Sequence, residues 1–134
     1  NRRIVGEILS RLEKKGLSLV AMKMMVISDE LAANHYAEHK EKSFFTDLTS
    51  YITSGPVIAM VWQGDNCVQL VRKLVGATKV EESQPGTIRG DYSLHTPHNI
   101  IHASDSDESA KREIGLFFKE EELIDWHDDN AKWF

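Results

Sequence analysis

Val57-Ile58-Ala59-Met60-Val61-Trp62, followed by the segment from Asp65 to Gly76, indicates the class of fold. The apolar run is short and follows the chain-breaking pair Gly55-Pro56, which is typical of a buried strand. In the segment that follows, apolar residues recur at helical spacing up to Gly76, a residue that commonly ends helices. We therefore predict a strand over 57–62 and a helix over 65–75.

The same alternation of strands and helices extends along the chain, in the order α-β-α-α-β-α-loop-β-α. Helices are predicted at 4–15, 29–39, 43–53, 65–75 and 105–117, and strands at 17–27, 57–62 and 99–102. The last helix begins with Asp105 and Glu108 at capping-box spacing. Interleaved strands and helices predict one domain, residues 1–134, with an α/β or α+β sandwich.

Composition excludes several classes of protein. The 134 residues are 41% hydrophobic and 28% charged, which argues against a disordered chain. No window approaches ~18 consecutive apolar residues, so we expect no membrane span. The single cysteine, Cys67, fits a reducing, cytoplasmic environment, and Asn1-Arg2-Arg3 does not resemble the start of a signal peptide. A net charge of −5 disfavours a dedicated nucleic-acid-binding protein, so a phosphate ligand would need a local cluster of cations.

His102 is the candidate reactive residue, because it ends a predicted strand directly before a predicted helix. Neutral imidazole is available at pH 7 as a nucleophile or general base, and a helix N-terminus favours a bound anion. Glu113, about two turns into that helix, could orient one ring nitrogen. From these residues alone, a structural histidine is the favoured interpretation.

A second interpretation uses histidines as metal ligands. His95, His98, His102 and Asp105 have a spacing that a metal-dependent hydrolase or metal-binding module could use. His35 and His39 are four residues apart on one predicted helix face, but there we expect solvent exposure rather than a metal site.

Six blocks of sequence, in order, carry a resemblance to a known family. They are Arg3-Ile4-Val5-Gly6-Glu7-Ile8, His35-Tyr36, Phe44-Phe45, Ser54-Gly55-Pro56-Val57, Pro85-Gly86-Thr87-Ile88-Arg89-Gly90-Asp91 and Asn99-Ile100-Ile101-His102-Ala103-Ser104-Asp105. Together they resemble the nucleoside diphosphate kinase family, which has glycine at the position of Ala103.

The resemblance implies an α+β fold, a ferredoxin-like split β-α-β sandwich with an antiparallel sheet covered by helices. It implies transfer of the γ-phosphoryl group of a nucleoside triphosphate to a nucleoside diphosphate, with Mg²⁺ and little base specificity. The transfer would be ping-pong, through a phosphohistidine at His102. The implied assembly is a cytoplasmic homo-oligomer, a hexamer or otherwise a tetramer.

The resemblance also implies a role for individual residues. Glu113 would hydrogen-bond the ring of His102, and Ser104 would support that carboxylate. Asp105 would cap the helix or lie near the magnesium ion. The residues implied to bind the nucleotide are Tyr36, Phe44, Leu48, Arg72, Thr78, Arg89 and Asn99, with Phe44 and Leu48 at the base and the others at the sugar and phosphates.

The start of the sequence departs from the family pattern. The family opens with a central strand ending in Lys-Pro-Asp, and nothing of the kind precedes Asn1. We expect a fragment of a longer chain that lacks the first strand; the alternative is a truncated, weakened enzyme. A catalytically impaired nucleotide-binding scaffold of the same fold is the corresponding alternative function.

Overall fold

A computed structural model describes residues 2–134, which fold as a mixture of helices and one small sheet. The α-helices are α1 (Val5–Lys14), α2 (Asp29–His35), α3 (Phe45–Ile52), α4 (Cys67–Val75), α5 (Ile88–Tyr92) and α6 (Asp107–Phe117). The strands are β1 (Ser18–Met25) and β2 (Val57–Gln63). Short 3-10 turns occur at Ala37–His39, Val80–Glu82, Thr96–His98, Glu120–Glu122 and Ala131–Trp133.

The two strands pair in antiparallel fashion, with Met22 opposite Met60 and one irregularity between Leu19 and Ala21. The sequence correctly predicted both strands and the helices around them. The α+β class of the prediction is therefore confirmed.

The predicted third strand over 99–102 is wrong. The amide of Ile101 donates to the carbonyl of Asn99 at 2.8 Å, which closes a γ-turn around Ile100. Ile100 has a φ of 74°, a strained value for a β-branched residue. The side chains of Tyr51 and Arg89, rather than a neighbouring strand, bond the backbone around Ile100, so an apolar run that resembles a strand forms an irregular bend.

The main core lies between α1, α4 and α5. Ile8 and Leu12 of α1 pack with Val75 of α4 and Ile88 of α5. Ala103, the residue after His102, belongs to the same buried cluster. The segment that carries the candidate reactive histidine is therefore anchored in the core by its neighbour.

The segment 77–98, predicted as a loop, contains α5 and two 3-10 turns. Thr87 caps α5 by accepting a hydrogen bond from the amide of Gly90 at 3.0 Å. A side chain at Gly90 would overlap the carbonyl of Gln84, so this close approach of the chain to α5 requires glycine. The turn residues of this block therefore form a short helix that sequence periodicity could not detect.

Helix termini differ from the predictions in two places. The helix predicted over 29–39 ends at His35 and continues as a 3-10 turn, although Ser28 caps its start as expected. The cap of α6 is Ser106, whose hydroxyl accepts from the amide of Ser109 at 3.0 Å, and not Asp105. Asp105 is thereby left on the wall of a pocket.

Across residues 2–134, the longest helices are too short and too polar to traverse a lipid bilayer.

Candidate active site

A pocket opens between α2, the end of α4 and the start of α6. Six of the predicted site residues line it: Tyr36, Arg72, Thr78, His102, Asp105 and Glu113. The blocks that the sequence analysis singled out are far apart in the chain, and the fold brings them to one cavity. Arginine and carboxylate side chains both face this cavity.

At the centre of the pocket, His102 is hydrogen-bonded to Glu113. The distance from Nε2 of His102 to Oε1 of Glu113 is 2.5 Å, and the hydroxyl of Ser104 donates to the same oxygen at 2.9 Å. Burial of this carboxyl acts to raise its pKa, but the hydrogen bonds from His102 and Ser104 hold the pKa of Glu113 below its ordinary value. Glu113 is therefore an ionised acceptor.

This pairing fixes which nitrogen of His102 is free. An ionised carboxylate can only accept, so Nε2 must carry the ring proton and Nδ1 must carry the lone pair. Within residues 2–134, Nδ1 has no hydrogen-bond partner, and the His102 side chain is 45% exposed toward the pocket. In its neutral form, the ring thus presents Nδ1 as an available nucleophilic nitrogen.

Two arginines lie beneath the histidine segment. Arg72 of α4 lines the pocket and donates from Nη1 to the carbonyl of Ala103 at 3.0 Å. Arg89 is only 3% exposed, and its guanidinium donates to the carbonyls of Gly76, Asn99 and Ile101 at 3.2, 3.3 and 2.6 Å. Burial, with the charge of Arg72 nearby, lowers the pKa of Arg89 to about 10.

Arg89 and Asn99 do not line the pocket in this structure. Two of the three bonds from Arg89 end on the carbonyls that flank Ile100, the residue with positive φ. The hydroxyl of Tyr51 accepts from the amide of Ile100 at 3.3 Å. These contacts hold the strained turn two residues before His102.

The residues predicted to contact the base also lie outside the pocket wall. Phe44 is 44% exposed, and its ring centroid lies 5.5 Å from that of His39, which lines the pocket. Leu48 lies one helical turn further along α3, its amide bonded to the carbonyl of Phe44 at 3.0 Å. Phe44 and Leu48 thus form an apolar edge beside the pocket.

His35 is the site residue whose environment the sequence analysis missed. It was expected to be exposed, but it is 5% exposed and its ring centroid lies 4.6 Å from that of His102. Burial lowers the pKa of His35 to about 4, with a smaller effect of His102, so the ring is neutral at pH 7. The available signal was its position three residues after the buried Ala32, on the inward face of α2.

The metal ligands proposed from spacing do not come together. Among residues 2–134, the side chains grouped closely enough to hold an ion are His35, His102 and Glu113. His95 and His98 are not in that group, and the ring of His98 packs against Tyr51 at 5.3 Å between centroids. The hydrolase interpretation therefore has no assembled ligand set in the described part of the chain.

The family model for nucleoside diphosphate kinase matches residues 1–123. The chain belongs to the nucleoside diphosphate kinase family. A nucleoside diphosphate kinase of Archaeoglobus fulgidus is 56% identical over 132 residues, which are 98% of this chain and 87% of the relative. One of Methanosphaera stadtmanae is 60% identical over 125 residues, 93% of this chain and 82% of the relative.

Solved structures of nucleoside diphosphate kinases have the same fold. A halophilic nucleoside diphosphate kinase from Halobacterium salinarum, in complex with CDP, superposes with a TM-score of 0.96 and 51% identity, covering 98% of this chain and 88% of that one. A family member from Babesia bovis superposes with a TM-score of 0.94 and 45% identity, covering 98% of this chain and 89% of that one.

The predicted ferredoxin-like fold of the family is confirmed, and the function is that of a nucleoside diphosphate kinase: transfer of a phosphoryl group from a nucleoside triphosphate to a nucleoside diphosphate. The hydrolase and scaffold alternatives are not favoured.

Proposed function

We propose that His102 carries the phosphoryl group between the two nucleotides, in a ping-pong reaction through a phosphohistidine. The observation that carries this proposal is the bond between Nε2 and Glu113, because it leaves the lone pair of Nδ1 free beside the pocket. A covalent intermediate divides the exchange into two transfers at one nitrogen, so a single nucleotide site suffices.

In the first transfer, the lone pair of Nδ1 forms a bond to the γ-phosphorus. The bond from that phosphorus to the bridging oxygen breaks, and the nucleoside diphosphate leaves with the bonding electrons. The proton on Nε2 stays between the ring and Glu113, whose negative charge stabilises the positive charge that develops on the ring. The reverse sequence, with a different diphosphate, completes the exchange.

Phosphate binding follows from the cations and donors on the wall. Arg72, Thr78 and Tyr36 would contact the phosphates, since all three line the pocket with His102. The first amides of α6 lie at the same end of the cavity and favour an anion. Transfer of a phosphoryl group depends mainly on such positioning and charge stabilisation.

Arg89 supports the reaction from below the pocket rather than from its wall. Its guanidinium donates to the carbonyls of Asn99 and Ile101 and links them to the carbonyl of Gly76, which stabilises residues 99–101. The nucleotide contacts implied for Arg89 and Asn99 would have to come from donors and acceptors that these bonds leave free. We assign both residues chiefly to positioning His102.

The base would lie on the edge formed by Phe44 and Leu48. The half-exposed ring of Phe44 gives a surface on which any base can stack, worth about 1–3 kcal/mol. The halophilic relative is described in complex with CDP, a nucleoside diphosphate. Stacking without hydrogen bonds to the base would give low base specificity.

The pocket also fits the magnesium ion that the family resemblance implies. Mg²⁺ prefers oxygen ligands and is usually held by one or two carboxylates together with substrate phosphates. Asp105 offers such a carboxylate on the pocket wall, and a hydrogen bond from Ser109 holds its pKa below the ordinary value, so it is ionised. Bound Mg²⁺ would neutralise charge on the nucleotide phosphates.

We further propose that residues 1–134 act as a single kinase domain in a cytoplasmic homo-oligomer, as a hexamer or otherwise a tetramer. Exposed apolar side chains support association, since Met22 and Met24 of β1 and Trp126 face outward. Surfaces of this kind commonly mark contacts between subunits.

Intact mass spectrometry tests the proposed intermediate. The purified chain is measured before and after incubation with Mg-ATP and no acceptor, and peptides are mapped under conditions that preserve phosphohistidine. We expect one phosphoryl adduct on His102 that disappears when a nucleoside diphosphate is added. H102N should form no adduct, whereas H127N, at an exposed histidine, should behave as the parent does. An adduct on H102N would contradict the proposal.

A further inference from the structure

His35, His102 and Glu113 form a cluster that the phosphoryl transfer does not fully explain. One donor atom of each side chain lies within 4.8 Å of the others. The transfer uses His102 and Glu113, but it gives His35 no chemical role. His35 nevertheless presents an imidazole ring to His102 from a buried position on α2.

Both ring nitrogens of His35 are buried and have no hydrogen-bond partner within the part of the chain that the structure describes. A neutral imidazole has one donor and one acceptor, and burying them unpaired costs free energy. Buried polar atoms without a partner often indicate an ion or water that belongs there. The unpaired lone pair of His35 lies in the cluster with His102 and Glu113.

We propose that His35, His102 and Glu113 form an inhibitory site for Zn²⁺ or a similar borderline transition-metal ion. Two imidazoles and one carboxylate are a ligand set that zinc uses in sites with an open fourth position. Mg²⁺, in contrast, prefers oxygen ligands in an octahedron. The cluster therefore discriminates against the ion that accompanies the nucleotide.

The geometry is close to that of a bound ion. Zinc–ligand bonds of about 2.0–2.1 Å separate neighbouring ligand atoms of a tetrahedral site by about 3.3 Å. Donor atoms within 4.8 Å of one another reach that spacing with side-chain movements of under about 2 Å. The His102 side chain has room to move because it is 45% exposed, and the open position would face the pocket.

Occupation of this site blocks the nucleophile whichever nitrogen of His102 binds the ion. If the ion takes Nδ1, it occupies the lone pair that would attack phosphorus. If the ion takes Nε2, the ring proton moves to Nδ1, and that nitrogen loses its lone pair. The inhibitory effect rests on the proposed role of His102, whereas binding of the ion does not.

Cobalt binding to the full chain tests the site without nucleotide. Co²⁺ alone is titrated into the parent, H35Q and H127Q, and its visible d–d absorption is followed, then Zn²⁺ is added. We expect one Co²⁺ per chain, displaced by one equivalent of Zn²⁺, with affinity at least tenfold lower in H35Q. H127Q, which removes an exposed histidine outside the cluster, should match the parent.

Failure of the parent to bind the ion, or equal affinity in H35Q, would overturn the site. If circular dichroism shows that H35Q is misfolded, H102Q replaces it, since that side chain is half-exposed and its loss should also lower affinity at least tenfold. The second measurement is phosphoenzyme formation from Mg-ATP after one equivalent of Zn²⁺. Reduced formation in the parent and restoration by a zinc-selective chelator support inhibition.

Unchanged phosphoenzyme formation by the zinc-loaded parent would overturn the inhibitory role. The failure of the proposed function is distinguishable, because it would appear as absence of phosphoenzyme in the metal-free parent.

Discussion

Glu113 determines which nitrogen of His102 is available for chemistry. Its side chain is 12% exposed, and it accepts hydrogen bonds from both His102 and Ser104 on one oxygen. A charged acceptor in a partly buried position gives a stronger hydrogen bond than a neutral one. In the proposed mechanism, the carboxylate would therefore both select the tautomer and stabilise the phosphorylated ring.

E113Q should lower kcat by about 10- to 100-fold, which corresponds to the loss of one hydrogen bond to a charged group. The amide has no charge and can donate as well as accept, so it no longer fixes the tautomer. KM for the nucleotide should change by less than about threefold, because binding does not depend on this bond. Steady-state kinetics of E113Q and of E108Q, a change on the exposed part of α6, separate the two parameters. A kcat within twofold of the parent would contradict this role.

Sequence reasoning reached His102 and Glu113 but misjudged His35. The first two residues follow from a histidine before a helix and a carboxylate two turns into it, which are local relationships. The burial of His35 depends on how α2 packs against α6 and against the segment that carries His102, and a single histidine in a helix does not carry that information. Its contact with the ring of Phe117, at 5.3 Å between centroids, spans most of the chain.

At the scale of elements, the irregular segment 99–102 holds the site in place. The γ-turn at Ile100 is a strained conformation that persists only when its surroundings determine it. Arg89 of α5 and Tyr51 of α3 bond the turn from two sides. A predicted strand is replaced by a bend because side chains outside the segment supply its hydrogen bonds.

R89M should lower the free energy of unfolding by about 3 kcal/mol or more, since bonds from a charged donor to carbonyls contribute about 1.5–3 kcal/mol each. It should also lower kcat, because residues 99–101 would no longer hold His102 in position. Urea denaturation and steady-state kinetics measure the two effects. K73M, on the exposed face of α4, is the matched control. If R89M were as stable as the parent, the guanidinium would not stabilise the segment 99–101.

At the scale of the whole molecule, one ion pair links helix α1 to helix α5. Arg11 of α1 donates to Asp91 of α5 at 2.6 Å, and the amide of Gly86 donates to the other carboxylate oxygen at 2.8 Å. Both bonds hold the pKa of Asp91 below its ordinary value, and the bond from Gly86 has the larger effect. The ion pair thus joins α1 and α5, two helices of the core that are far apart in the chain.

D91N should reduce stability by a constant amount at pH values above about 5, where Asp91 is ionised in both folded and unfolded chains. Because the folded-state pKa is lowered, this stabilisation is lost as the pH falls below about 4, through the folded-state pKa. The difference between parent and D91N should therefore shrink in acid. Urea denaturation at several pH values, with D129N as an exposed control, measures it. If the stability difference between the parent and D91N widened in acid, the result would contradict a lowered pKa of Asp91 in the folded chain.

The overall fold was largely accessible from sequence, since β1, β2 and all the longer helices follow from local periodicity. The missed elements are short and stabilised from outside. Helix α5 depends on the close approach of the Gln84 carbonyl to Gly90, and the bend at 99–102 depends on Arg89. Structures of relatives with TM-scores of 0.94–0.96 confirm the arrangement that the sequence blocks implied.

NMR can test directly whether Nδ1 of His102 carries the phosphoryl group. The chain is labelled with ¹⁵N-histidine, phosphorylated with Mg-ATP in the absence of acceptor, and examined for ¹⁵N–³¹P coupling. The bond between Nε2 and Glu113 leads us to expect phosphorus on Nδ1 of His102. Phosphorus on Nε2, or on any other residue, would contradict the assignment of the reactive nitrogen.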